Sequence, residues 1–260
     1  MLTHDEIVHS LVGALKPLDF VHAFWEGGAT ATGRLDEWSD IDLYVVTDEE
    51  KISDVFKAVE QALEKLSPIS QKFEVQQLPW PGVQQAFYRL ANTSKYLLID
   101  LAVLKPNAPE TFLEPEIHGK AVFYFNKDNK VKIPELNRAA HAEKVLARLE
   151  RLKARFSMFN VFVQKEINRG NTIEALDLYH TFTFGSLVEA LRIKHTPFHF
   201  DFRTRYMHHE LPKKLVTRLE QLAFVESARD LQAKYDEATR LFHETVRNTK
   251  IKKDRESAQE

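Results

Sequence analysis

Val21-His-Ala-Phe-Trp-Glu26-Gly27-Gly28-Ala-Thr30-Ala-Thr32-Gly-Arg-Leu-Asp-Glu-Trp-Ser39-Asp40-Ile41-Asp42-Leu-Tyr-Val-Val46 is the stretch from which the fold of this 260-residue chain is read. It runs as an apolar strand, a small-residue turn, a polar loop and a second apolar strand that opens with two aspartates. Successive side chains of a strand point to opposite faces, so Asp40 and Asp42 project from one face and Ile41 and Leu43 from the other. Two carboxylates so close at the mouth of a strand call for a counter-charge. A hard divalent cation, bound through carboxylates and substrate phosphates, supplies it. Upstream, Gly27-Gly28 lets backbone N–H groups approach a phosphate where a Cβ would collide. An Asp-x-Asp pair alone is common in surface turns that bind nothing. What sets this one apart is the glycine pair before it and a third carboxylate further on.

That third carboxylate is Asp100, which interrupts the apolar run Leu97-Leu-Ile-Asp100-Leu-Ala-Val103. A lone carboxylate inside such a strand is costly unless it is paired or bound to a cation. Asp100 therefore reads either as a further ligand or as a strand aspartate that faces solvent or meets an arginine.

With these residues in view, the chain resembles the nucleotidyltransferase superfamily of the DNA polymerase beta type. The signature of that family is Gly-Gly/Ser, some ten residues, then Asp-hydrophobic-Asp/Glu-hydrophobic. Here Gly27-Gly28 is followed by eleven residues and then Asp40-Ile41-Asp42-Leu43. The Ser39-Asp40-Ile41-Asp42 stretch after an acidic, aromatic loop is most like the aminoglycoside and lincosamide nucleotidyltransferases. The resemblance implies transfer of a nucleoside monophosphate, AMP by expectation, from a nucleoside triphosphate to a hydroxyl of a small-molecule acceptor, releasing pyrophosphate. It implies Asp40, Asp42 and Asp100 as catalytic residues and ligands of Mg2+, with Mn2+ as the substitute, Asp100 serving alternatively as general base. Gly27, Gly28, Thr30 and Ser39 are then the expected phosphate contacts. Most members carry Gly-Ser where this chain has Gly-Gly, so Thr30 or Thr32 is expected to provide the missing hydroxyl. An aminoglycoside-like antibiotic is the expected kind of acceptor. The rival readings are a protein adenylyltransferase, a template-free RNA nucleotidyltransferase, and a nucleotide-binding or interaction protein without turnover.

Composition narrows the field. A net charge of −2 lacks the basic surplus of a nucleic-acid binder. With no cysteine, disulfides and thiolate zinc sites are excluded. The polar, acidic N-terminal stretch is no signal peptide and no apolar run approaches a membrane span, so a cytoplasmic protein is expected, a homodimer being compatible. Eleven histidines include the neighbours His208-His209, but none forms a His-x-x-x-His pair with a carboxylate partner, and surface positions are expected.

The rest of the chain sets the fold class as α+β, a mixed sheet with flanking helices followed by a helical bundle. Thr3 and Glu6 form a capping box before a helix ending at Leu15, and Ile52, Val55, Val59, Leu63 and Leu66 mark a second helix. Strands are expected over 20–25, 40–46, 73–78, 83–90, 96–103 and 120–125, and a loop over 110–119. The strand pattern stops at 130–134, which sets the expected units at 1–132 (catalytic), 133–248 (helical, implied by the resemblance to bind the acceptor) and 249–260 (polar tail). Beyond it Leu146, Leu149, Leu152, Phe156, Phe159, Val163 and Ile167 step as one amphipathic helix ending at Arg169-Gly170. Three more follow, carrying Ile173 to Leu191, Leu215 to Leu222 and Ala228 to Phe242. Between them, Arg192, Lys194, Arg203 and Arg205 surround the aromatic segment 198–206, which reads equally as a substrate-covering loop or as interhelical packing. Tyr179 and His180 fit core and ligand positions alike. Glu143, Glu166 and Glu174 offer carboxylates with nothing to choose among them.

Overall fold

The computed structural model describes residues 2–250; from residue 251 on, the expected polar tail lies outside the described residues. The chain divides between Leu136 and Asn137 into two compact units, a few residues past the stretch where the strand pattern ends.

The first unit opens with α1 (His4–Leu15), whose capping box closes as its sequence dictates. The Glu6 N–H donates to Thr3 Oγ1, and the Thr3 N–H donates to Glu6 Oε2 at 2.8 Å. After it come β1 (Val21–Glu26), the short α2 (Gly28–Thr32), β2 (Ile41–Thr47), α3 (Ile52–Leu66), β3 (Ile69–Glu74), β4 (Val83–Leu90), β5 (Ile99–Leu104), the single turn α4 (Pro115–His118) and β6 (Val122–Asn126). The six strands form one sheet in the order β3-β4-β5-β2-β1-β6. β2 and β5 pair parallel, and every other neighbouring pair is antiparallel.

Alternation along the central strands sorts their side chains onto two faces. Ile41, Leu43 and Val45 of β2, with Ile99, Leu101 and Val103 of β5, pack beneath Ile7, Leu11 and Leu15 of α1 and Val55, Val59 and Leu63 of α3. Each such fully buried aliphatic side chain contributes about 1.5–3 kcal/mol, so this helix-covered face carries most of the unit's stability. A smaller cluster lies on the other face, with Ala23, Trp25, Val46, Val83, Ala102 and Leu104. On β2 and β5 it occupies the C-terminal halves. The N-terminal halves of the same face carry Asp42 and Asp100, and Asp40 immediately precedes β2.

Two details differ from the sequence expectation. The strand expected over 73–78 lies earlier, as β3, because it is the sheet's edge and is exposed along most of its length, so no in–out alternation marks it. Within 110–119, Pro115 sits at the first position of α4, where its fixed φ suits a helix start.

The second unit contains α5 (Arg138–Phe159), α6 (Val161–Arg169), α7 (Thr172–Leu178), α8 (Gly185–His195), α9 (Met207–Glu210), α10 (Lys213–Ala223) and α11 (Ala228–Arg247). The expected single helix up to Arg169 is divided at Asn160. This buried side chain accepts from Thr183 Oγ1 at 2.6 Å and donates to Tyr235 Oη and Thr239 Oγ1 at 3.2 Å each. A π-helical turn, Tyr179–Phe184, joins α7 to α8 and carries Thr183 to that amide. Of the basic, aromatic segment, Lys194, Arg203 and Arg205 are exposed, whereas Arg192 is fully buried and packs. Its guanidinium donates to the carbonyls of Arg203 and Arg205 and, at 2.8 Å, to Glu210 Oε2. This staple holds a loop in which Arg203 and Tyr206 both have positive φ. Tyr179 is a core residue whose hydroxyl donates to the Leu222 carbonyl, and Glu166 is bound by Arg169 and Asn171. His208 and His209 are exposed. No helix among the described residues is long and apolar enough to cross a membrane.

Candidate functional site

The site is built on three strand ends. β1 ends at Glu26 beside the start of β2, and the Gly27 N–H donates to the Asp42 carbonyl at 2.9 Å, tying the glycine turn to the acidic strand. Gly28 has a φ of +53°, and a Cβ there would lie 1.7 Å from Asp42 Oδ2. Only glycine fits: any other residue would meet both a left-handed backbone and the carboxylate. At Gly27 a Cβ would lie 2.8 Å from the ring of Tyr44, which stacks on Trp25. The two glycines therefore let the turn lie flat against β2.

Parallel pairing of β2 and β5 sets Asp42 directly opposite Asp100. In-register neighbours share a face, so the two carboxylates stand side by side, and Asp40 lies one residue ahead of β2. Gln85 of β4 donates from Nε2 to Asp100 Oδ1 at 2.7 Å, fixing that carboxylate's rotamer. Burial pushes the Asp40 carboxyl above the usual aspartate range, against the opposing pull of the Leu98 N–H and the Arg89 charge. The structure thus brings Asp42, Asp100, Gly27 and Gly28 together, with Asp40 just ahead of β2. Among the described residues, however, the His and carboxylate group whose ligand atoms all lie within 4.8 Å of one another is Glu110, Glu114 and His118, and the three aspartates do not close to that degree.

The hydroxyls expected at the phosphates are held elsewhere. Thr30 Oγ1 donates to Glu26 Oε1, Thr32 Oγ1 to the Gly28 carbonyl at 3.0 Å, and Ser39 Oγ to Asp36 Oδ1 at 2.7 Å.

Glu26 is the residue that sequence reasoning passed over. It is fully buried at the end of β1 and accepts from Thr30, from Tyr124 Oη and from His4 Nε2, the last at 2.8 Å. Burial raises its pKa, but the three hydrogen bonds and the His4 charge outweigh that and leave it below the usual value. In turn the Glu26 hydrogen bond drives the His4 pKa up to about 9 against desolvation, with Asp5 helping. The pair is ionised at neutral pH and anchors the glycine turn from the helix-covered side. The one local signal for Glu26 is its place between an apolar run and Gly27-Gly28. Gln85 carried no signal at all.

No family model matches the chain, and no curated protein is similar to it. Among solved structures, an aminoglycoside 6-adenyltransferase from Bacillus subtilis aligns over 95% of this chain and 90% of its own at 12% identity, with a TM-score of 0.39. A nucleotidyltransferase-like protein from Exiguobacterium sibiricum aligns over 94% of this chain and 75% of its own (14% identity, TM-score 0.38). A spectinomycin adenyltransferase from Enterococcus faecialis, solved with ATP and spectinomycin, aligns over 94% and 98% (12% identity, TM-score 0.33).

Proposed function

We propose that this chain is a nucleotidyltransferase that moves a nucleoside monophosphate, AMP in the first instance, from a nucleoside triphosphate to a hydroxyl of a small-molecule acceptor. What supports the reading above all is the fit of Gly28 against Asp42: the small turn and the acidic strand form one surface in which the missing Cβ makes room for a carboxylate. Asp42 beside Asp100, with Asp40 just ahead of the strand, is an all-oxygen donor set of the kind that suits Mg2+ or Mn2+. When bound, such an ion neutralises charge on the triphosphate and on the departing pyrophosphate.

The chain's own residues then divide the work. Gly27 and Gly28 admit the phosphates close to the backbone. In this reading Asp100, which Gln85 holds at 2.7 Å, serves as a ligand of the ion or accepts the acceptor's hydroxyl proton. The acceptor oxygen forms a bond to the α-phosphorus while the bond from that phosphorus to the bridging oxygen breaks, and pyrophosphate leaves with the electron pair. Because their hydroxyls are bound to Glu26 and Asp36, Thr30 and Ser39 enter this reading as residues that shape the turn and the loop.

The test is pyrophosphate release from ATP, GTP, CTP and UTP with Mg2+ or Mn2+ across a panel of aminoglycosides and other polyhydroxylated acceptors. Acceptor-dependent release by the wild type, absent in a folded Asp42→Asn variant, is expected. Equal release by that variant would refute the assignment of the site.

A further inference from the structure

The loops that lead into β2 and β5 each carry a large aromatic residue. Trp38 is 57% exposed and Tyr96 49% exposed, and the two rings meet edge to face with centroids 4.8 Å apart at 72°. Each is held by its own loop. The Trp38 N–H donates to Asp36 Oδ1 at 3.0 Å, and the Tyr96 N–H to Ser94 Oγ at 3.3 Å. Lys95 Nζ lies 4.9 Å from the Tyr96 ring centroid. The pair ties together the two strands that carry the aspartates, yet each ring keeps about half its surface in water.

Building on the reading of the site as nucleotide-binding, we propose that Trp38 and Tyr96 form the stacking platform for the nucleobase of the triphosphate. Two observations point to this occupant. First, the chain keeps the platform near the carboxylates: Trp38 is two residues from Asp40 and Tyr96 four from Asp100, chain spans of at most about 7 and 14 Å. A nucleotide is a ligand whose planar ring stands one ribose away from its phosphates. Second, the surface offered is aromatic, about half of each ring being exposed. Every base has a π-face, so such a platform binds bases with little discrimination by hydrogen bonding and favours the larger purines.

The experiment is calorimetric titration of wild type, Trp38→Ala and Trp38→Phe with Mg-ATP and, separately, with inorganic triphosphate, which lacks the base. Stacking on one aromatic ring predicts that Trp38→Ala weakens ATP about tenfold and leaves triphosphate affinity unchanged, while Trp38→Phe recovers most of the loss. Unchanged ATP affinity in Trp38→Ala, with triphosphate still bound, overturns the platform and leaves the carboxylate site standing. Parallel loss of both ligands also overturns it, because the pair is then only a staple between loops. A change confined to acceptor dependence or to oligomeric mass assigns the patch to the acceptor or to a second copy, and overturns it equally. A wild type that binds neither ATP nor triphosphate refutes the site itself.

Discussion

Replacing Gly28 by alanine puts a methyl group where the structure already holds the Asp42 carboxylate. The new Cβ would lie 1.7 Å from Oδ2 and 2.5 Å from Cγ, whereas ordinary van der Waals contact begins at 3.4 Å. Something must therefore move by well over an ångström. The backbone adds its own cost, because at a φ of +53° an L-residue is disfavoured by about 1–2 kcal/mol. Gly33 provides an internal control. It caps α2 with a φ of +67°, and a Cβ there meets nothing within 4 Å, so Gly33→Ala isolates the backbone cost. Gly28→Ala carries that cost plus about 1–3 kcal/mol for the collision. Displacing a reacting group by about 1 Å costs on the order of 100-fold in rate, so Gly28→Ala is expected to lose turnover at least that far, measured per folded molecule. Urea denaturation supplies the stabilities and initial-rate pyrophosphate release the turnover. If Gly28→Ala matches Gly33→Ala in both, the carboxylate does not occupy the space under the turn, and the argument from the missing Cβ fails.

Three other perturbations test separate parts of the structure. The His4 pKa is raised to about 9, so its contribution is fully present below the unfolded value of about 6.5 and is lost as pH rises through about 9, an effect of about 1–2 kcal/mol after solvent screening. His4→Gln should thus destabilise at pH 7 and match wild type near pH 10; an equal deficit at both pH values would refute the ion pair. Arg192→Met takes the guanidinium from two loop carbonyls and from Glu210, which keeps His199 at 3.0 Å, and a loss of about 3–5 kcal/mol is expected in thermal or urea unfolding. Arg192→Lys should rescue little of it, since one ammonium cannot reproduce the fork, and full rescue would show that charge alone matters. Gln85→Leu removes the donor that orients Asp100, so kcat should fall with stability within about 1 kcal/mol of wild type; unchanged kcat would remove Gln85 from the site.

Local pattern determined a good deal about this protein. The capping box at Thr3, the stripes of α1 and α3, the alternation of β2 and the helical character after residue 137 are each encoded within a few turns or strand residues, because they follow from one element's periodicity. The edge strand β3 was misplaced because exposure on both sides erases that periodicity. The division of the long helix at Asn160 was missed because its partners, Thr183, Tyr235 and Thr239, lie on other elements. Only tertiary structure decided that β2 and β5 pair parallel and in register, which sets Asp42 opposite Asp100. It alone put Gly28 under Asp42, bound Thr30 to Glu26, and brought His4 and Tyr124 to that carboxylate. Register and burial are settled by contacts between residues far apart in the chain, and a single element's pattern carries no record of which partner it will meet.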